Sequence, residues 1–210
     1  KDRVFIHVSD EPSYFMNFVY KKVSRYIHEL FKGYRIIDAL SDYRFYEKGV
    51  VSNPVPAIDH IDKFLGNVDD LWAYYCSAQC NHNVANRFFC NDSIRTRVIG
   101  YQLYKFNIRG FLQWGYNFYF TRLSKKAIDP FEVTDAGGAF PSGDSFMVYP
   151  APDGTAYHSL RLKVFYDALQ DIRAFKLLES FIGKDKTIEL IEETAGQTVT
   201  FKDYPHSAEA

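Results

Sequence analysis

Asp10 and Glu11 stand side by side in the run Ser9-Asp10-Glu11-Pro12. Adjacent carboxylates can divide acid catalysis between them, one passing a proton to a leaving group while the other holds the substrate. The same four residues also suit a helix start, with an acid beside the cap, proline at the first helical position and negative charge at the positive end of the dipole. The two readings are compatible, and only the catalytic one explains why both residues are acidic. Cys76, Cys80, His82 and Cys90 form a second group, because three thiolates and an imidazole are a legitimate zinc set. Their spacings of three, one and seven intervening residues lack the usual Cys-x2-Cys knuckle. No metal is therefore expected, and Cys76, without an obvious His partner in sequence, reads as an inert buried thiol. Asp59 and His60 fit a charge pair in a cleft or a surface turn equally well. His7 reads as a core histidine inside a strand rather than a ligand.

Short apolar runs at residues 4–9, 35–40, 56–61, 71–76 and 110–114 are strand candidates, most of them rich in β-branched or aromatic side chains. The catalytic pair lies at the end of the first. Residues 12–31 follow, with Phe15, Val19, Val23, Ile27 and Leu30 at three- and four-residue steps, Lys21, Lys22, Arg25 and Glu29 on the other face, and Gly33 as the stop. A second helix is predicted over 93–108, with Ile94, Val98, Tyr101 and Phe106 near one stripe. Alternating strands and helices imply a parallel sheet, open or closed, whose functional loops sit at the carboxyl ends of its strands. No Gly-rich phosphate loop follows a strand, and Gly137-Gly138 lies in a long irregular stretch, so nucleotide binding loses its best support. Ser159 is expected to cap a long helix running to about Gly183 and Asp185 a shorter one, with a short strand at 199–201 and a frayed tail from Pro205.

Five motifs in order carry a resemblance to a known family: His7-Val8-Ser9-Asp10-Glu11-Pro12, Trp72-Ala73-Tyr74-Tyr75-Cys76, Gly110-Phe111-Leu112-Gln113-Trp114 through Asn117, Gly143-Asp144 with Val148-Tyr149-Pro150, and Ser159-Leu160-Arg161. Together they resemble the catalytic domain of glycoside hydrolase family 123. The resemblance implies an α/β fold, the C-terminal part of a (β/α) TIM-like barrel with about five βα strands retained and C-terminal helices after them. It implies retaining hydrolysis of a β-linked N-acetylhexosamine, typically N-acetylgalactosamine, with the substrate's acetamido oxygen as nucleophile and an oxazoline intermediate. On that model Asp10 hydrogen-bonds the acetamido N–H, and Glu11 protonates the leaving oxygen and then activates water. A helix N-terminus lowers a carboxylate's pKa while a general acid needs it raised, so desolvation or repulsion from Asp10 has to win at Glu11. Trp72, Tyr74 and Cys76 share one strand face by period two. Tyr74 is assigned as donor to the acetamido carbonyl, Trp114 as the sugar-stacking platform and Asn117 as a hydroxyl contact, with Trp72 left to packing.

Composition narrows the partners. The 210 residues hold 25 Lys+Arg against 26 Asp+Glu, a formal charge of -1 that gives no long-range field for nucleic acid or an anionic membrane. No apolar run reaches the roughly 20 residues of a spanning helix. Sixteen Tyr, nineteen Phe and two Trp exceed what a core of this size requires, and amphipathic rings in a cleft suit sugar faces. An oligosaccharide or glycoconjugate substrate is expected, with no cofactor. A non-catalytic carbohydrate-binding or scaffold module that kept an aromatic cleft is the alternative. The chain opens without a Met on Lys1-Asp2-Arg3 followed directly by apolar Val4-Phe5-Ile6, so it is expected to be cut from something longer, and the compartment stays open. Residues 1–182 are expected to form the partial barrel and 183–210 a helix, short strand and tail. An unpaired edge at 4–9 is expected to favour self-association.

Overall fold

The computed structural model describes residues 3–206, in two compact units: residues 3–74 with 107–112, and residues 75–106 with 113–206. In the first unit, strand β1 (Phe5–Ile6) pairs in parallel with β2 (Arg35–Ile36), Phe5 opposite Arg35 and Ile6 opposite Ile36. After one residue the same stretch continues as β3 (Asp38–Ala39), which pairs in parallel with β4 (Pro54–Val55). The backbone donors alternate: Ile37 N–H goes to Ile6 O (2.9 Å), whereas Asp38 and Leu40 N–H go to Asn53 O (3.4 Å) and Val55 O (2.9 Å). Residues 35–40 thus lie between the other two strands. A parallel bridge from Ala57 to Tyr74 leads on to β5 (Trp72–Tyr75), which pairs with β6 (Gly110–Gln113).

Spatial order follows sequence order through all five predicted strand regions, as short crossovers between parallel strands require. The ladders are two to four residues long, and the third strand lies at 54–55 rather than within 56–61. Among the described residues they form no closed barrel. Residues 36–40 and 54–58 are buried without a break, the signature of parallel strands covered on both faces. Tyr20, Leu40, Phe45, Val50 and Val51 form one apolar cluster, with Val8 and Tyr14 packed against it.

Helix α1 (Asn17–Leu30) begins after a 3-10 turn at Tyr14–Met16, not at Pro12, so residues 9–12 are a loop and the helix-start reading of them fails. Its inward residues also differ from expectation. Tyr20 and Ser24 are buried, while Phe15, Val19, Val23 and Leu30 are exposed. The reason is local: the Tyr20 hydroxyl donates to the buried Asp38 carboxylate and its ring meets Phe45 edge-on at 5.3 Å, which sets the face α1 turns to the sheet. A short α2 (Arg44–Glu47) follows β3. His7 is exposed beyond the end of β1, not in the core.

In the second unit the predicted helix over 93–108 is broken at Val98 into α3 (Ser93–Arg97) and α4 (Ile99–Lys105). Residues 99–104 are buried on every side. Gly100 permits a close approach, since a Cβ there would lie 2.2 Å from the Ala168 carbonyl oxygen. Strands β7 (Val148–Pro150) and β8 (Ala156–His158) make an antiparallel hairpin. Ala168 belongs to α5 (Leu160–Ile182), whose N-cap Ser159 accepts from Leu162 N–H at 3.1 Å as the sequence predicts. Gly183, with φ of 82°, separates α5 from α6 (Lys184–Ala195). Asp185 therefore sits in the first turn of α6 rather than capping it.

The expected strand at 199–201 is absent because side chains take its backbone groups. Val199 N–H donates to Glu192 Oε1 (2.8 Å), Val199 O accepts from Lys105 Nζ (2.8 Å), and Thr200 O accepts from Gln102 Nε2 (2.8 Å). These bonds join residues 192–200 to α4, so the segment after 183 belongs with the second unit. Residues 207–210 of the expected tail lie outside the described residues. No described helix is long and apolar enough to cross a membrane.

Candidate active site

Asp38 is 1% exposed and interrupts an apolar strand. A carboxylate so placed needs donors on both oxygens. Oδ1 accepts from Val8 N–H at 2.7 Å and Ser9 N–H at 3.0 Å, and Oδ2 accepts from the Tyr20 hydroxyl. Burial, then the bond to Asp38, pushes the Tyr20 phenol well above its usual range. The carboxyl end of β1 is therefore anchored to the neighbouring strand and to α1 immediately before Asp10.

Glu11 has a φ of 42°, in the left-handed region where a non-glycine residue costs about 1–3 kcal/mol. Two contacts hold it there. Its N–H donates to Ala39 O at 3.0 Å, and the Tyr74 hydroxyl donates to its Oε1. A cavity of about 410 Å³ is lined by residues 8–13 on one side and by Met16 and the α1 residues Val19, Tyr20 and Val23 on the other, so it includes both carboxylates. Both are exposed. Because α1 begins six residues beyond Glu11, and dipole effects fade within the first turn, the expected conflict between helix start and general acid does not arise.

The remaining predicted residues belong to the second unit. Trp114 is half-buried, edge-on to Phe140 at 5.2 Å and tilted against Phe118 at 5.9 Å. Its indole N–H donates to Asp144 Oδ1 at 3.2 Å. Asn117 is exposed and bridges to Phe146 in an antiparallel pair. Behind Trp114 lies a charged network that sequence reasoning missed. Arg87 and Asp144, both fully buried, pair at 3.2 Å, and Arg87 also donates to Asp144 O (2.7 Å), Trp114 O (3.2 Å) and Asn86 Oδ1 (3.1 Å). Burial raises the Asp144 carboxyl above its ordinary value against the pull of Arg87 and the Trp114 N–H. Arg161, stacked on Phe89 at 4.6 Å, donates to Gly143 O (2.5 Å), Phe146 O (2.7 Å) and Arg87 O (3.1 Å). Burial brings it down to about 10, and burial pushes the Tyr75 phenol, beneath the Arg87 guanidinium, up to about 12.

Other sequence candidates resolve simply. Asp59 and His60 lie against each other (Nδ1 to Oδ1, 2.9 Å), with the aspartate side chain buried and the imidazole exposed. Trp72 packs against Phe5 at 4.9 Å, with Arg35 over its ring at 5.1 Å. A Cβ on Gly110 would come within 2.2 Å of that ring, so only glycine leaves it room. Cys76 is half-buried, Cys80 and Cys90 are exposed, and no group of His, Cys, Asp and Glu among the described residues is arranged to hold a metal ion.

Residues 1–178 match the family model for the glycoside hydrolase 123 catalytic domain. The chain belongs to that family. Among solved structures, this family 123 domain is similar to a family 123 glycoside hydrolase from Clostridium perfringens, described through its hydrolysis of glycolipid glycans, at 22% identity and a TM-score of 0.63. The match covers 89% of this chain and 33% of that one, so the domain spans about a third of the solved relative's length. No curated protein matches. All five sequence motifs fall inside the span matched by the family model.

Proposed function

We propose that the protein is a retaining glycoside hydrolase that cleaves β-linked N-acetylhexosamine, N-acetylgalactosamine in the first instance, by substrate-assisted catalysis, and that its sheet is part of a (β/α) barrel. The observation that carries the assignment of roles is the hydrogen bond between Tyr74 and Glu11. A phenol has one proton. While Glu11 is ionised that proton is directed at its carboxylate. When Glu11 is protonated its carboxyl is a weaker acceptor, so the phenolic proton can turn to the acetamido carbonyl while the single Glu11 O–H is directed at the leaving oxygen.

The steps then balance. The acetamido oxygen attacks the anomeric carbon while Asp10 accepts a hydrogen bond from the acetamido N–H. The glycosidic bond breaks with its electron pair on the leaving oxygen, which takes the Glu11 proton. Water next gives a proton to Glu11 and adds to the anomeric carbon, opening the oxazoline ring with overall retention. Trp114, its edge fixed by Asp144, is the proposed stacking surface, and Asn117 the hydroxyl contact.

A chromogenic N-acetyl-β-galactosaminide tests this. Cleavage by wild type and its severe loss in Asp10→Ala supports the hydrolase. Sugar binding without cleavage by wild type replaces it with a carbohydrate-binding module.

A further inference from the structure

Residues 84–88 belong to no helix or strand, yet Val84, Ala85, Asn86, Arg87 and Phe88 are all buried. Loops ordinarily run over the surface, because a buried one needs a partner for its backbone N–H and C=O groups. Here α3 supplies several of them. Arg95 O accepts from Asn86 N–H at 3.1 Å, the Thr96 hydroxyl donates to Asn86 O at 3.1 Å, and Arg95 Nη2 donates to Val84 O at 2.7 Å and His82 O at 3.2 Å.

Arg95 is held in turn by a C-terminal strap, residues 197–206, which lies beyond the span matched by the family model. Arg95 Nε donates to the Tyr204 hydroxyl at 3.1 Å, and Asn83 Nδ2 donates to Lys202 O at 2.9 Å, so the strap grips both the helix and the start of the loop. Apolar burial seats the strap itself. Val199, Phe201 and Tyr204 are almost wholly buried, and Phe201 stacks on Phe106 at 5.1 Å.

The loop carries this restraint on to Trp114. Asn86 Oδ1 accepts from Arg87 N–H at 2.9 Å and from Arg87 Nη1 at 3.1 Å, which leaves Nη2 aimed at Trp114 O (3.2 Å) and Asp144 O (2.7 Å). Asp144 Oδ1 accepts from the indole N–H at 3.2 Å. The backbone carbonyl and the ring edge of Trp114 are thus both fixed by groups that lead back through Arg87 and Asn86 to Arg95 and Tyr204. Every member of this chain belongs to one compact unit.

We propose that the C-terminal strap, acting through Tyr204 and Arg95, positions Trp114 for stacking on the sugar. The inference rests on the reading of Trp114 as the stacking surface. Tyr204 and Arg95 are positioning residues, because their bonds go to the loop that carries Arg87 and not to the indole. The loop at 84–88 is the element that both ends share, and a mutant cycle measures the coupling through it.

The test uses the whole chain labelled with fluorinated tryptophan, whose two tryptophans give two fluorine NMR signals, assigned by Trp72→Phe. Tyr204→Phe keeps the buried ring and removes only the hydroxyl, and Arg95→Met keeps the stem and removes the donors. In each, the Trp114 signal is expected to shift while that of Trp72, in the other unit, stays in place, and kcat/KM on an aryl N-acetyl-β-galactosaminide is expected to fall at least threefold. Tyr204→Phe should add nothing further in an Arg95→Met background; an added loss there overturns the route through Arg95. An unmoved Trp114 signal overturns the proposal whatever the change in thermal stability, as does an equal shift of both signals, the mark of general loosening. A moved Trp114 signal with unchanged kcat/KM overturns it too. If Arg95→Met does not fold, Tyr204→Phe decides alone. If wild type cleaves nothing, the hydrolase reading fails and titration of the Trp114 signal with N-acetylgalactosamine decides the strap: weaker binding in Tyr204→Phe supports it, and equal binding, or none to wild type, overturns it.

Discussion

At the scale of single residues, the division of labour between Asp10 and Glu11 makes distinct kinetic predictions. If Glu11 supplies the proton, Glu11→Ala should lose about 10²–10⁴ in kcat/KM on a leaving group that needs protonation, and far less on a nitrophenolate that departs unaided. Equal losses on both would remove Glu11 from the acid's role. Asp10→Ala should be severe on every N-acetylated substrate whatever the leaving group. Tyr74→Phe should lower kcat/KM on N-acetylated substrates, because it removes the hydroxyl that bonds Glu11. Asp10 and Glu11 were legible because two acids follow a strand and sit in a family motif. Asp38 was not singled out, yet it left a signal: one acid between Ile37 and Ala39 in an apolar run must be buried, and a buried carboxylate has donors. Asp144 stood in a family motif, but its pairing with Arg87 left no signal, since it joins positions 57 residues apart.

At the scale of elements, anchoring and close packing carry the predictions. Asp38 ties two N–H groups at the end of β1 to the Tyr20 hydroxyl on α1, so Tyr20→Phe should cost about 1–3 kcal/mol in denaturant unfolding, the penalty for a buried carboxylate short of one donor. The same change should lower kcat, because it loosens the end of β1 immediately before Asp10. Gly100→Ala should cost about 1–3 kcal/mol or more, since α4 and α5 must separate to admit the Cβ, and thermal unfolding measures it. Asp144→Asn removes a carboxyl oxygen from among buried donors, Arg87 and the Trp114 N–H, with an expected loss of about 1–3 kcal/mol. Its pH dependence has a definite sign. The folded Asp144 carboxyl is raised above its unfolded value, so this group favours the folded state most below that value and the contribution declines as pH rises through the folded pKa. The advantage of wild type over Asp144→Asn should therefore shrink from pH 3 upward; an advantage that grows instead would mean the ion pair outweighs burial. The elements themselves were legible by period, but the split at Val98 and the missing strand at 199–201 were not, because both depend on contacts with α5, Glu192 and Lys105 that no local window contains.

At the scale of the whole molecule, charge and aromatic content were the features most directly legible. A sequence with 26 acids and 25 bases has no net field to steer a charged ligand, and the internal ion pairs, Arg87 with Asp144 and Lys105 with Glu192, are local and sheltered from water. Their separations are far shorter than the Debye length of about 8–10 Å at ordinary salt, so added ions screen them little. A neutral glycan approaching such a protein gains nothing from long-range attraction, and its capture depends on short-range hydrogen bonds and ring contacts. The expected outcome is that kcat/KM on a neutral N-acetylhexosaminide changes by less than about twofold between 20 mM and 500 mM sodium chloride, where steered association would fall steeply. A steep fall would locate a charged contact at the mouth of the site.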